Sequence, residues 1–529
     1  MLRTISIVLL LVCAGAIASA ATFQYRVPSG NGYAYLWLPP KAESVRGLFI
    51  MGQISIEWEL INSPAVRAAC EESGIGIVYF KPHIDGTFKY WTNDQIGKTW
   101  LKALDDLAKT SGHSEVARVP WITAGHSTAG IFCRNVAYWQ PQRTAAVVHI
   151  KSGNFWQADC KPPAPASIVG IPLVSINGGM ETYGPVSGID PLYGRETQWT
   201  YAERDLQRFR NEDPQYLVGE VVDPGNDHFH GDPQLNNFVA LYLKKTALYR
   251  LPLLPLPAGD APIAPRAMKA EDGVLIDPDY KKPTIITAKY DAYTGKKADA
   301  MWFYDLETAA AAQRWMRNLG NHQCVAGTTL TWVDEGDGWE FTAKSEYLEK
   351  MPPSFNQGKT GPFSDMKVGH ADVPIVYQAK ECEPVVQVAP DRFRWVHPVV
   401  GRKGGFDGVN IASYSAGDDK FRATIRFGTL AFPALKGTKQ TITFPAITDT
   451  KVDALPLVLG ATASSGLPVC YEVEYGPLAV VDGKLVISDL PTSPVFPIEC
   501  KVNAFQIGRR IGAIVEPAAP VSVTFQLVK

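Results

Sequence analysis

The stretch that most constrains this chain is Gly125-His126-Ser127-Thr128-Ala129-Gly130. It follows the apolar run Val119-Pro120-Trp121-Ile122-Thr123-Ala124 and precedes a segment with helical patterning over residues 131–139. A strand that halts at a serine flanked by small residues and passes straight into a helix requires a tight reversal. Bulky side chains would collide there, because the helix packs close to the strand that feeds it. The serine hydroxyl is then left at the end of a sheet strand, at a helix N-terminus. On this layout Ser127 is the candidate nucleophile.

A serine hydroxyl is a weak nucleophile until a base lies within hydrogen-bond reach and a carboxylate orients that base. The surrounding residues say where such partners can sit. From residue 33 to about 250, short β-rich runs (47–51, 76–80, 145–150, 171–176, 217–222) alternate with helical stretches (65–72, 95–110, 235–249). That alternation predicts a mainly parallel sheet with helices packed on it. The run 171–176 leads into Asn177-Gly178-Gly179-Met180-Glu181, which puts a carboxylate just past a strand end. The run 217–222 leads into Asp223-Pro224-Gly225-Asn226-Asp227-His228-Phe229, which puts a histidine on the last loop before the final helix. His230 is a rival base, since residues two apart in an extended segment face the same way. Asp190, Asp223 and Asp227 are rival carboxylates. A metal reading of Asp227-His228-x-His230-x-Asp232 has no second ligand cluster behind it, so no metal and no cofactor is expected.

With serine, acid and histidine in that chain order, residues 30–250 resemble the α/β-hydrolases, especially exported bacterial esterases. The resemblance implies a catalytic triad of Ser127, His228 and Glu181. Gly225 and Phe229 flank His228 as glycine and an aromatic flank the family's histidine, which favours it over His230. The motif here reads Gly-x-Ser-x-Ala, with Ala129 where the family usually packs glycine. An oxyanion hole is implied from two backbone N–H groups, that of Thr128 and that of Gln53 on the loop after residues 47–51, with Gly52 as the second choice for the latter. Trp58, Tyr90, Trp91, Phe155, Trp156 and Trp199 fall in loops expected to overhang the site and line a cleft for a sugar or an aromatic acyl group. Residues 183–202 form an insertion between acid and base, a candidate lid or specificity loop without the apolar face of a lipase lid.

The remaining chain sets the context. Arg3, an apolar run over residues 5–17 and Ala18-Ser19-Ala20 read as a cleavable signal peptide (1–20), so a secreted or periplasmic protein is expected. That run is shorter than the roughly 20 residues of a membrane span. Val12 before Cys13 argues against lipidation. The net charge of −2 in 529 residues gives no electrostatic case for nucleic acid. The hydrolase-like part takes residues 21–250, and a proline-rich linker takes 251–266. A β-rich module of uncertain fold takes 267–437. In residues 438–529, the phrases Thr443-Phe444-Pro445, Ser464-Ser465-Gly466 and Val502-Asn503-Ala504-Phe505 resemble a bacterial Ig-like (MBG-like) repeat. The expected architecture is thus an α/β-hydrolase fold, a β-rich module and a C-terminal Ig-like β-sandwich. Cys70 and Cys133, in apolar helices, are expected buried and unpaired; Cys324–Cys382 and Cys470–Cys500 are expected pairs, each within one module, and Cys160 is left over.

What the resemblance implies is a serine carboxylester hydrolase working on polymer-attached esters, either acetyl or feruloyl polysaccharide or polyester. A peptidase of the same fold, or a non-catalytic binding or adhesion protein, is the alternative.

Overall fold

The computed structural model describes residues 19–20, 23–153, 162–164, 166–181, 188–190, 195–279, 285–322, 324–350, 367–380, 383–397 and 408–529. Most of the expected signal peptide, Phe155, Trp156, Cys160, part of the 183–202 insertion and Cys382 lie outside the described residues. Ser19–Ala20 pairs antiparallel with Val480 and Ala479.

Eight strands form one sheet: β1 (Tyr25–Ser29), β2 (Gly32–Trp37), β3 (Gly47–Gly52), β4 (Ile75–Lys81), β5 (Trp121–His126), β6 (Thr144–Ile150), β7 (Leu173–Gly178) and β8 (Val218–Asp223). Their spatial order is β1-β2-β4-β3-β5-β6-β7-β8. β2 is antiparallel to both neighbours, and every pairing from β4 to β8 is parallel. β3, β5, β6, β7 and β8 are buried along their whole length. Parallel strands covered on both faces need that continuous apolar character. Between and after them run α1 (Glu57–Asn62), α2 (Pro64–Ser73), α3 (Gln95–Ser111), α4 (Thr128–Trp139), α5 (Gln198–Glu212) and α6 (Pro233–Tyr249). α2 packs on α6, α3 along β1, and α4 against β5 and β6. Every crossover delivers the chain to the same sheet edge, so the loops after β5, β7 and β8 meet there.

The segment after the first 250 residues is not an independent linker. Ile263 N–H donates to Arg118 O (2.8 Å), and Arg118 in turn donates to Pro257 O (2.7 Å). A small antiparallel sheet (Val274–Ile276, Ala288–Lys289, Met301–Phe303) and α7 (Leu306–Met316) then pack on β8, and their apolar side chains continue the core of the large sheet. Further on, β9 (Ala326–Trp332), β10 (Glu340–Tyr347), β12 (Val385–Ala389) and β13 (Arg392–Trp395) form one sheet, while β11 (Val376–Ala379), β14 (Gly408–Ser415) and β15 (Thr424–Ala431) form another. A separate core of Trp339, Phe341, Phe393, Trp395, Val409 and Ile411 lies between them.

The C-terminal strands Cys470–Tyr475, Ile498–Phe505 and Val521–Val528 pair antiparallel in one sheet. This region docks back on the first domain: Arg26 pairs with Glu499 (2.9 Å), Gln24 Nε2 donates to Asp489 O (2.8 Å) and His113 Nε2 donates to Thr492 O (3.0 Å). The expected Cys470–Cys500 bridge is absent, and both thiols are free. Cys470 stands opposite Phe505, five residues along that strand from Cys500. At 3.3 Å per residue that is about 16 Å, too far for a disulfide. Cys324 is also a free, buried thiol, as are Cys70 and Cys133.

Candidate active site

β5 ends at His126, and the chain reverses through Ser127, which sits at φ 53° and ψ −121°. A non-glycine residue at positive φ is a strained conformation that the surroundings must enforce. Here Ser127 N–H donates to Ile150 O (3.0 Å) and Ser152 Oγ donates to Ser127 O (2.5 Å). The flanking glycines are forced by space. A Cβ on Gly125 would stand 2.0 Å from Ala129 O, and one on Gly130 would stand 2.4 Å from Ser152 Cβ. Ala129 is fully buried, so its methyl is accommodated where the glycine of the usual motif would sit.

The loops after β7 and β8 complete the site. His228 Nε2 lies 3.0 Å from Ser127 Oγ, and His228 Nδ1 lies 2.5 Å from Glu181 Oε1. An ionised carboxylate only accepts, so Nδ1 carries the proton and the Nε2 lone pair faces the serine hydroxyl. Glu181 Oε2 is fixed by Gly178 N–H (3.0 Å). The two loops are also bonded to each other, Gly179 N–H to Asp223 O (2.7 Å) and Met180 N–H to Asn226 O (3.0 Å). The rival residues have other work. His230 Nδ1 bonds Asp227 Oδ1 (2.6 Å), and its ring stacks on Phe427 at 3.9 Å. Asp223 accepts from Asn226 Nδ2 (3.0 Å); burial, and then the neighbouring Asp232, push its carboxyl well up. Among the described residues no cluster of His, Cys, Asp and Glu is placed to hold a metal ion.

Behind Ser127, His228 and Glu181 lies a layer that the sequence motif does not show. His126 is fully buried; its Nε2–H donates to His228 O (2.6 Å), and its Nδ1 accepts from Ser55 Oγ–H (2.8 Å). Burial, with His228 and Lys151 nearby, holds it neutral, as that bonding requires. The His126 N–H donates to Glu57 Oε1 (2.7 Å), while Glu57 Oε2 accepts from Ser55 N–H (2.7 Å) and Ile54 N–H (3.2 Å). Glu57 therefore buckles the loop after β3 to the end of β5. Burial pushes its carboxyl up to about 7 against the pull of those donors. The sequence signal available was a pair of acidic residues soon after β3, Glu57 and Glu59, which surface exposure would explain equally well.

Of the two amides expected to hold an oxyanion, one is in place and the other is otherwise engaged. Thr128 N–H is the first amide of α4, one of those a helix leaves unpaired, directly beside Ser127. The Gln53 N–H instead donates to Phe80 O (2.9 Å), because the β3–β4 ladder runs one residue further than the apolar pattern. The next two amides, Ile54 and Ser55, go to Glu57. His83, not singled out by sequence, stands against both Gly52 and Gly86, and Gly86 faces Thr128.

Two of the aromatics expected in the cleft belong to packing. Trp199 is 1 % exposed on α5, among Val222, Leu319 and Met316. Trp58, on α1, sets its ring 5.7 Å from Tyr79 and 6.3 Å from Phe23. Tyr90 and Trp91 pack edge to face at 5.2 Å on the loop that passes Thr128 at Gly86.

No family model matches this chain, and no curated protein matches it. Among solved structures, poly(aspartic acid) hydrolase-1 from Sphingomonas sp. KT-1 is 14% identical, covers 44% of this chain and 98% of its own, and gives a TM-score of 0.29. Est1E from Butyrivibrio proteoclasticus is 16% identical, with 44% and 98% covered and a TM-score of 0.26. The poly(3-hydroxybutyrate) depolymerase LpqC from Bordetella parapertussis is 13% identical, with 41% and 81% covered and a TM-score of 0.26. The chain's own architecture is that of an α/β-hydrolase fold: one mainly parallel eight-stranded sheet, a sharp reversal at Ser127 after β5, and a carboxylate and a histidine after two later strands.

Proposed function

We propose that this protein is a serine hydrolase that cleaves carboxylic esters through an acyl-enzyme. The observation that carries the reading is the unbroken relay Glu181–His228–Ser127, with contacts of 2.5 and 3.0 Å on a strained turn. Ser127 Oγ attacks the ester carbonyl as His228 Nε2 takes its proton, and Glu181 stabilises the resulting imidazolium. The tetrahedral oxyanion points at the Thr128 N–H. The C–O bond to the alcohol breaks, and His228 returns the proton to the departing oxygen. Water then attacks the acyl-Ser127 carbonyl, again giving its proton to His228, and the acid leaves with Ser127 restored.

For substrate and setting we propose an exported enzyme acting on polymer-attached esters, such as acetylated or feruloylated polysaccharide or a polyester. Support comes from the signal-like residues 1–20, the lack of an apolar lid pattern in residues 183–202, and the appended β-rich regions, the last of which we read as an Ig-like spacer. Turnover of p-nitrophenyl acetate, acetylated xylan, feruloyl sugar esters and polyhydroxybutyrate by wild type and Ser127→Ala tests both levels. Wild-type hydrolysis of at least one ester, with loss of roughly 10³-fold or more in the variant, is expected. Cleavage of p-nitrophenyl acetate but of none of the polymers would remove the polymer assignment and keep the ester reading.

A further inference from the structure

Strand β15 (Thr424–Ala431), from the region that sequence patterning separates as an accessory module, lies directly on the two loops that carry the acid and the base. Ile425 N–H donates to Gly225 O (3.0 Å), three residues before His228. The approach is so close that a Cβ on Gly225 would stand 2.4 Å from Ala423 O. Arg426 Nη1 pairs with Asp227 Oδ2 (3.0 Å), next to His228, and its Nη2 reaches Met180 Sδ (3.7 Å), next to Glu181. Phe427 stacks on His230. Met180 is buried against Val325, Leu348 and Val368 of the same region. A further tie runs from β11's neighbour Lys380 to Glu59 (2.5 Å) on α1, the helix that also carries Glu57.

We propose that this β-sheet region is a built-in clamp of the catalytic machinery and that Arg426 is a positioning residue, fixing the His228 loop through Asp227 and the Glu181 loop through Met180. The proposal rests on the serine-hydrolase reading above. Its physical basis is that the triad bonds are made by two loops whose own strands end at Gly178 and Asp223. Beyond those ends, the loops hold each other by two backbone bonds, and His126 and Lys151 hold the His228 loop from behind through His228 O and His230 O. β15 is the element that ties the two loops together from outside the large sheet. Asp227 fits the role. Burial alone would raise its carboxyl, but the bonded His230, and then Arg426 and Lys151, hold it well below the usual carboxylate range, so it stays charged and bonded. Asp227 Oδ1 also accepts from the Phe229 N–H (3.2 Å), which pins the backbone on the far side of His228. The guanidinium acts at a distance from the reacting atoms, so its loss should shift the base out of line without altering substrate affinity. Misplacement by about 1 Å is enough for a loss on the order of a hundredfold.

The test is steady-state ester kinetics on the full chain for wild type, Arg426→Gln, Arg426→Lys, Asp227→Asn and the Arg426→Gln/Asp227→Asn double variant, with thermal melting of each. Arg392→Gln, which removes a contact to Glu335 and Glu340 inside the same region, serves as the control and should keep wild-type kcat. The clamp predicts that Arg426→Gln lowers kcat by about tenfold to a hundredfold with KM within about twofold, and that Arg426→Lys recovers most of it. The double variant should be no worse than its worse parent, since the two residues act as one unit. Wild-type kcat in Arg426→Gln, a loss confined to KM, or additive losses would overturn the proposal. Should Arg426→Gln not fold, Asp227→Asn decides: a kcat-only defect supports the clamp and unchanged kcat refutes it. A wild type inert toward every ester would instead fell the serine-hydrolase reading, and the clamp with it.

Discussion

At the residue scale, the proposed chemistry rests on three side chains that the structure brings together, and each could be named from sequence for the same reason. Ser127, Glu181 and His228 are polar residues placed immediately past apolar strand runs, in the one chain order that brings such ends together. Replacing Glu181 by Gln keeps the shape but leaves His228 Nδ1–H without an anionic partner; kcat should fall by about 10²- to 10⁴-fold in the same ester assay. What the residue types could not reveal was burial and register. Trp199 looked like a cleft aromatic and lies in the core, and the Gln53 amide was claimed by a ladder one residue longer than its apolar run. His126 and Glu57 were hidden for the converse reason, since nothing in a histidine or a glutamate says that it is fully buried and bonded to the backbone. His126→Ala removes the donor to His228 O and the acceptor for Ser55; it should cost about 1–3 kcal/mol of stability by denaturant unfolding, with a fall in kcat. Glu57 gives a pH signature. Its folded value of about 7 lies above the ordinary 4.5, so the folded chain keeps a proton that the unfolded chain releases. Stability from this group therefore falls as pH rises from about 4.5 through about 7. The melting temperature of wild type relative to Glu57→Gln should drop across that window, and a flat or rising difference would contradict the assignment.

At the scale of elements, the six parallel strands were readable because buried parallel strands are written as short, continuous apolar runs, each within a few residues of its place in the sheet; the antiparallel β1 and β2 were not named. Nor were two helices. α1 has six residues, fewer than two turns, and α5 is so rich in Arg, Glu and Gln that its buried side, Trp199, Ala202, Leu206 and Phe209, is a thin stripe. The turn between β5 and α4 gives the sharpest element-level test. Gly125→Ala places a methyl 2.0 Å from Ala129 O and should leave little folded protein, as judged by circular dichroism and yield. Ala129→Gly, which restores the usual motif, should keep kcat within about threefold and lose about 0.5–1 kcal/mol from the added backbone freedom.

At the scale of the whole molecule, the change from alternating α and β patterning to short strands near residue 270 does not mark a break in packing. The strands around Val274 and Met301 and helix α7 share the core of the large sheet, because β8 at the sheet edge needs cover that the first 250 residues do not supply. Periodicity reports which face of an element is apolar, not which element it meets. A chain ending at residue 250 should accordingly lack a cooperative melting transition, whereas the full chain should show one. The measurement that bears most directly on the account is labelling with a fluorophosphonate, followed by peptide mass mapping. The adduct should fall on Ser127 alone, disappear in Ser127→Ala and slow markedly in His228→Ala; a wild type that stays unlabelled, or a label that survives Ser127→Ala, would contradict it.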